Sequence, residues 1–507
     1  MNRFLSQLLK GFLDPAEIPD LKIKGLCLDS RQLKPGDLFF AYPGLEVDGR
    51  VFIQEAYEKG AAAIVLEAQG SEAFSENLQD LENKVILLKI SELSKHLSEI
   101  ASRYYGNPSQ KMKIIGVTGT NGKTSCTHFI AHALTSMGIK SAVMGTLGTG
   151  VLPHLKSSSH TTLDPISVQR ELAELELEHV KVVAMEVTSH ALVQYRVSAV
   201  NFEIAVFTQL SQDHLDYHGN MENYAAAKAR LFEFPYLKSA ILNLDDSYGR
   251  DWALRFQSEL KIIGYTQEAR KFPQDALVSA TDIQIKSSGY ELNLETPWGQ
   301  SNLNLPLLGR FNISNVLAVA GVLGVLDCPF SEITANLSRL KSVPGRMQIL
   351  GGEAGLPTVV VDYAHTPDAL EKTLSTLREN CRGKLWCVFG CGGDRDRLKR
   401  PIMGSIAESC ADQVVLTSDN PRTEDPLEIL KEIQGGFNSL GYVKTLEERR
   451  EAIKFAIQTA TADDMILLAG KGHEDYQIIG REKLKFSDIE EVQHYLDERA
   501  HEIIKSS

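Results

Sequence analysis

The sequence predicts an α/β fold in three regions, and three observations carry that expectation. The first is a strand–turn–helix unit around Gly116–Thr124, GVTGTNGKT, with the apolar run Lys113-Ile114-Ile115 before it and a helical stretch, Ser125–Met137, after it. The second is an alternation of apolar strand candidates with helical stretches, which begins at this unit and restarts near residue 346. Such a rhythm is the pattern of a mainly parallel sheet. The third is a pair of boundaries, Gly106-Asn107-Pro108-Ser109 and Ser342-Val343-Pro344-Gly345, where turn-forming residues interrupt the rhythm.

These boundaries divide the chain into residues 1–110, 111–344 and 345–507. The first region holds short strands and turns, among them Asp29-Ser30-Arg31, Pro35–Ala41 and an alanine-rich unit at Gly60–Leu66. At its start Phe4, Leu5, Leu8, Leu9, Phe12 and Leu13 recur at helical spacing, which is not the layout of a signal peptide. The second region carries strand candidates at Ser141–Gly145, Val182–Val187, Ile204–Phe207 and Ala240–Asn243, then a turn-rich stretch, Lys286–Pro306, that reads as antiparallel. The third restarts with Thr358–Asp362, Leu385–Phe389, Gln413–Thr417 and Met465–Leu468. Polar and glycine-rich residues follow several of these strands, and open α/β sheets collect ligands at such ends.

Composition narrows the function classes. At 507 residues, 43% hydrophobic and 23% charged, the chain reads as an ordinary soluble protein of several domains. A net charge of −13 excludes general nucleic-acid binding, which needs a basic surface. No apolar run reaches membrane-spanning length. The seven cysteines, Cys27, Cys126, Cys328, Cys381, Cys387, Cys391 and Cys410, are odd in number and form no CxxC pair. They read as buried, reduced thiols of a cytoplasmic protein.

The chemistry starts at the glycine-rich turn. Its glycines let backbone N–H groups approach phosphate oxygens, Lys123 can neutralise phosphate charge, and Thr124 can offer a hydroxyl to Mg²⁺. Val117 stands where the strict phosphate-loop spacing has its first glycine. Glu186 ends the apolar run Val182–Met185 and is placed to bind Mg²⁺ or to sit at a helix N-terminus. The segment Thr208–Phe232 packs Asp213, His214, Asp216 and His218 together. Those side chains have donors for a transition metal, and equally for hydrogen bonds. Lys228 lies in an alanine-rich helical run, where a lysine is ordinarily part of a solvated face.

The motifs GTNGKTS, EVTSHAL, DHLDYHGNMENYAAAK, LLGRFNISN, DYAHTP, GCGGDRD, DNPR and GKGHE occur in this order across almost the whole chain. Together they resemble the Mur ligases of peptidoglycan synthesis. The resemblance implies three domains: a uridine-nucleotide α/β domain, a central ATP-binding phosphate-loop domain and a C-terminal Rossmann-like amino-acid domain. It implies ATP-dependent activation of the D-glutamate γ-carboxylate of UDP-MurNAc-L-Ala-D-Glu as an acyl phosphate, which meso-diaminopimelate then attacks to form an amide. Folylpolyglutamate synthase shares the loop and domain plan, without the N-terminal region or DNPR.

The resemblance also implies roles. Gly119, Thr120, Asn121, Gly122, Lys123, Thr124 and Ser125 hold ATP, aided by Arg346, Asp362 and His365. Thr124 and Glu186 bind one Mg²⁺, and His214 with a carbamylated Lys228 binds a second; the carbamate derives from CO₂ and requires a neutral lysine. Leu28, Ser30, Leu45, Glu46 and Val47, with His160, Thr161, Thr162, Ser189, Gln194 and Arg196, bind the nucleotide-linked dipeptide. Arg395, Asp419, Asn420, Pro421, Arg422, Gly470 and Glu474 bind the amino acid. The chain departs from the family's common Thr-Thr-Pro by reading Thr161-Thr162-Leu163-Asp164-Pro165, and carries His160 where a member can carry Asn. Arg422 can pair with the distal carboxylate of diaminopimelate, which lysine lacks. Net charge and the lengths of the apolar runs predict no nucleic-acid partner and no membrane insertion, and a monomer is the expected state. A lysine-adding ligase of the same family and a phosphate-loop ATPase switch are the alternatives.

Overall fold

The computed structural model describes residues 3–44, 47–81, 84–158, 160–268, 273, 276–286 and 289–506. Leu45 and Glu46 of the expected nucleotide loop lie outside these described residues. The chain forms two compact units, the first holding Met1–Ser279, Thr296–Gly299 and Val316–Ile333, the second holding the remainder.

The first unit opens with a parallel four-stranded sheet, Gly25–Cys27, Asp37–Ala41, Ala63–Glu67 and Ile86–Ile90 in spatial order. Both inner strands are buried at every residue, as a parallel sheet covered on both faces requires. Helix Leu93–Tyr105 buries Leu93, Leu97, Ile100 and Ala101. It stops where Gly106 and Asn107 both turn left-handed. The helical pattern at the N-terminus forms a helix only over Leu5–Leu8, because Gly11 takes a φ of +86° and turns the chain.

The second sheet of this unit positions the phosphate loop. Its parallel strands run Lys261–Thr266, Ser239–Asn243, Phe202–Phe207, Lys113–Thr118, Val182–Glu186, Ser141–Gly145 in spatial order. From Lys113–Thr118 the chain crosses to one side of the sheet, and from Phe202–Phe207 to the other. These two strands are neighbours, so the loop after Thr118 sits at the point where strand order reverses. Ile114, Val183, Phe202, Phe207 and Trp252 share the core beneath it. The following helix begins at Lys123, not Ser125, because Gly122 at φ +87° provides the left-handed turn into it. The expected antiparallel stretch supplies the strands Leu277–Lys286, Gly289–Thr296 and Gly299–Leu305, successive sheet neighbours whose residues fall mostly in the second unit.

The second unit is built on a sheet ordered Gln348–Gly351, Thr358–Asp362, Met465–Ala469, Leu385–Phe389, Gln413–Leu416, Val443–Thr445. All pairings are parallel except that of the first, edge strand. Leu385, Cys387 and Phe389 face one core while Trp386 and Val388 face the other, the two-residue alternation of a strand between helical layers. Among the described residues none of the seven cysteines forms a disulfide, and Cys387 and Cys391 are buried. Among the described residues no helix is long and apolar enough to cross a membrane.

Candidate active site

The loop after Thr118 is held open by tight backbone packing. Gly119 has φ +146°, and a Cβ there would collide with the Thr208 hydroxyl. The Thr120 amide donates to the Gln209 carbonyl at 2.8 Å, and the Thr208 hydroxyl donates to the Asn121 carbonyl at 2.5 Å. The loop is thereby tied to the neighbouring strand end. Lys123 Nζ donates to the carbonyls of Gly119 and Thr120 at 2.9 and 2.8 Å, which keeps its charge over the loop. Thr124 and Ser125 are buried in the first helical turn, where backbone N–H groups and the helix dipole favour an anion.

Glu186 ends its strand beside this turn. Its Oε2 accepts from Thr124 Oγ1 at 3.0 Å and its Oε1 from the Thr146 amide at 2.8 Å. A Cβ at Gly145 would strike the Glu186 carboxylate, so glycine there makes room for it. A buried carboxylate and a hydroxyl in contact form a hard-oxygen pair that suits Mg²⁺, which keeps water and phosphate oxygens as its other ligands. Among the described residues no three or more His, Cys, Asp or Glu side chains gather as a metal cage. The Asp213–His218 segment assembles no such cage among them either. His214 Nε2 lies 3.4 Å from Asp213 Oδ2, while His218 Nε2 bonds Ser189 Oγ at 2.9 Å.

Lys228 is not part of a solvated face. It is 2% exposed, with Nζ donating to the Gly119 carbonyl at 2.8 Å and lying 4.5 Å from the centre of the Tyr224 ring. Burial drives its ammonium well below the usual lysine range, Lys123 adds to that, and Asp213 opposes it. A neutral amine is the form that can take up CO₂. The His214 ring lies 6.2 Å from the same Tyr224 ring, so His214 and Lys228 border one tyrosine.

The residues expected to hold the dipeptide converge near Glu186. Thr161 Oγ1 is 3.0 Å from Thr146 Oγ1, and Thr162 Oγ1 donates to the Glu186 carbonyl at 2.9 Å. Arg196 donates to the Thr162 carbonyl at 2.9 Å and, through Nε and Nη2, to Gln194 Oε1. A narrow cleft is lined by Gly145, Thr149, Ser158, Thr161, Thr162 and Glu186. Asp164, from the sequence departure, caps helix Pro165–Leu177 by accepting from the Ile166 and Ser167 amides, so the insertion serves as a helix start. His160 is exposed. In the N-terminal sheet region Ser30 is buried and donates to Glu55 Oε2 at 2.7 Å, Leu28 is half-buried, and Val47 is exposed.

In the second unit the expected residues stand at the C-terminal ends of its strands. Asp362 accepts from the Met347 and Ala364 amides at 2.8 and 2.9 Å, and burial pushes its carboxyl above the usual range despite Arg346. The Arg346 guanidinium lies 4.7 Å from the Tyr363 ring, against which His365 and His473 also pack. Burial lowers His473 to about 4, so its imidazole is neutral at physiological pH, and His365 is shifted down in the same direction by desolvation against its neighbours.

Asp419, Asn420, Gly470 and Glu474 meet around one side chain. Asn420 Nδ2 donates to Glu474 Oε2 at 2.9 Å, and a Cβ at Gly470 would lie 2.9 Å from Asp419 Oδ2. Arg422 has φ +52° and donates from Nη1 to the Gly393 carbonyl at 2.7 Å, while the Pro421 carbonyl packs on Gly393. Arg395 is exposed, and both arginines flank Gly392. The residue that joins this group, Lys471, was not anticipated from the sequence. Thr146, Tyr224 and His473 were likewise missed. The signal for Lys471 and His473 was present in GKGHE, whose glycines bring backbone and side chains into close approach.

Three family descriptions match the chain: "Mur ligase family, catalytic domain" over residues 22–105, "Mur ligase middle domain" over 117–323, and "Mur ligase, glutamate ligase domain" over 345–472. A UDP-N-acetylmuramoyl-L-alanyl-D-glutamate–2,6-diaminopimelate ligase of Coxiella burnetii is 50% identical over 97% of this chain and 99% of its own length. One of the same name from Pseudomonas syringae pv. tomato is 48% identical over 93% of this chain and 94% of its own. A solved structure of that name aligns with TM-score 0.72 and 35% identity, covering 99% of this chain and 100% of its own.

Proposed function

The chain belongs to the Mur ligase family, with its three-domain α/β fold, and on that footing we propose that it joins meso-diaminopimelate to the D-glutamate γ-carboxylate of UDP-MurNAc-L-Ala-D-Glu. The near full-length likeness to ligases of that name is the observation that carries this reading. The matched segments 22–105, 117–323 and 345–472 fall within residues 1–110, 111–344 and 345–507, which we assign as uridine-nucleotide, ATP and amino-acid domains. The enzyme works as a cytoplasmic monomer on soluble precursors.

The γ-carboxylate attacks the ATP γ-phosphate, forms an acyl phosphate and releases ADP; the amine then attacks the acyl carbon and phosphate leaves. Two anions must meet, so charge neutralisation and positioning dominate the chemistry. Lys123 and the amides of Gly119–Ser125 bind the phosphates, with Arg346, Asp362 and His365 as further nucleotide contacts. Thr124 and Glu186 would hold one Mg²⁺, and His214 with carbamylated Lys228 a second; the metal supplies charge stabilisation to the transferring phosphoryl group. Thr161, Thr162, Gln194 and Arg196 orient the dipeptide, with Ser189 held by His218. Arg422 pairs with the distal carboxylate of diaminopimelate, and Glu474 with its ammonium.

The test is product mass and ADP release after incubation with ATP, UDP-MurNAc-L-Ala-D-Glu, and either diaminopimelate or lysine. The expected result is ADP release that requires both other substrates, with diaminopimelate in the product. ATP turnover indifferent to the amine would overturn the reading in favour of an ATPase switch. Lysine incorporated equally well would overturn the amine assignment alone.

A further inference from the structure

Lys471 is a fully buried cation in the strand-end loop Gly470–Glu474, wholly within the second unit. Its Nζ donates to Asn420 Oδ1 at 3.1 Å, Glu474 Oε2 at 3.2 Å and Asp419 Oδ1 at 3.4 Å. An ammonium has three donors, and all three are used. The acceptors are themselves held: Glu474 Oε2 also takes a proton from Asn420 Nδ2, and Asn420 Oδ1 also takes one from the Ile478 amide. Lys471 is the node through which the adjacent Asp419 and Asn420 fix the Glu474 carboxylate.

The charges form a pattern that a purely structural lysine would not need. Asp419 and Glu474 bring two negative charges, and Lys471 offsets one. Arg422 brings a positive charge whose Nη1 is anchored on the Gly393 carbonyl. Buried Arg449 contributes no net charge, because Asp488 neutralises it. Around Lys471 this leaves one net carboxylate charge, and the Arg422 and Arg395 guanidiniums stand on the other side at Gly392, a separation of signs that suits a substrate end bearing one ammonium and one carboxylate.

We propose that Lys471 is a positioning and specificity-determining residue for the incoming amine. It fixes Glu474 and limits the pocket's negative charge, so that an end carrying ammonium and carboxylate is preferred over an end carrying ammonium alone. This rests on the reading of Asp419, Asn420, Arg422 and Glu474 as the amine pocket. Without Lys471 two carboxylates would repel the distal carboxylate of diaminopimelate and attract the bare cation of lysine.

The test is steady-state kinetics of the full-length enzyme with Lys471→Met, Lys471→Arg, Glu474→Gln and Arg422→Ala, varying each substrate. Lys471→Met should raise KM for diaminopimelate about tenfold or more, and shift the diaminopimelate-to-lysine ratio of kcat/KM toward lysine by about as much. KM for ATP and for the nucleotide dipeptide should stay put, whereas a loss of folded enzyme would lower kcat alone. Lys471→Arg, which keeps the charge, should recover part of the preference. If folded Lys471→Met keeps the parent amine KM and preference while Glu474→Gln shifts them, the role of Lys471 is refuted and the pocket stands. If Glu474→Gln and Arg422→Ala also leave amine KM unchanged, the pocket reading itself fails. Should Lys471→Met not fold, Lys471→Gln should shift the preference toward lysine, and adding Asp419→Asn, which restores the net charge, should return part of it; no shift in folded Lys471→Gln overturns the proposal.

Discussion

Two lysines, one in each compact unit, are almost completely withdrawn from solvent, and their surroundings set them to opposite tasks. Lys228 has a backbone carbonyl, a tyrosine ring and a neighbouring lysine charge for company. Lys471 has two carboxylates and an amide oxygen. Burial alone disfavours a charged amine. Lys228 is left to that penalty, which favours its neutral form. Lys471 is compensated by partners, as buried charges must be, and serves as a fixed cation. Depth does not decide what a buried lysine does; the acceptors within hydrogen-bond reach do.

The widest break in this comparison should come from Lys228→Met. Loss of a carbamate ligand should lower kcat by about a thousandfold, the scale of losing a principal electrostatic contact in such a site. Lys228→Arg should do no better, since arginine stays protonated and cannot take up CO₂. Labelled bicarbonate should appear on Lys228 of the parent enzyme by peptide mass spectrometry. Parent-like turnover in Lys228→Met would end the assignment of Lys228 to the metal site.

A second buried pair shows what full compensation is worth. Arg449 and Asp488 are both fully buried and joined at 2.7 Å through two parallel bonds. Asp488→Ala leaves the guanidinium uncompensated and should cost about 3–5 kcal/mol of stability, read from urea unfolding. Lys228→Met, which removes a buried amine without an ion-pair partner, should cost none. Equal destabilisation by the two variants would erase the distinction between compensated and uncompensated burial.

A smaller effect belongs to Arg422. Arg422→Ala should reduce the diaminopimelate-to-lysine ratio of kcat/KM on the order of a hundredfold, by removing the partner of the distal carboxylate. Competition between the two amines, scored by product mass, measures it directly.

What the sequence revealed follows from how local each feature is. The phosphate loop was legible because its chemistry lies in consecutive glycines, a lysine and a threonine between one strand and one helix. The strands were legible because buried parallel strands are continuous apolar runs. Lys228 alone read as a solvated lysine, and only the ordered motif series marked it otherwise. Tyr224 lies one turn back on the same helix, but the Gly119 loop that covers Lys228 comes from 109 residues away, which no local pattern encodes. Lys471 stood in view within GKGHE, but its role did not, for a related reason: Asp419 and Asn420 reach it from a different strand end. The helical pattern at the N-terminus misled because Gly11 stops a helix that apolar spacing would continue.

The finest discrimination comes from proton linkage. In bicarbonate-free buffer the folded protein holds Lys228 with a pKa well below the ordinary lysine value of 10.5, while the unfolded chain titrates near that value. Between the two, the unfolded state binds more protons, so stability rises with pH. The penalty is absent above the unfolded pKa, grows as pH falls below it, and levels off only at the folded pKa. Lys228→Met has no such titration. It should therefore be more stable than the parent at neutral pH, with the difference shrinking as pH approaches 10.5, measured as urea midpoints across that range. Bicarbonate should narrow the difference by stabilising the parent alone, because only the folded parent offers a neutral amine to CO₂. A difference that ignores both pH and bicarbonate would mean that Lys228 stays protonated when buried, and the contrast with Lys471 would collapse.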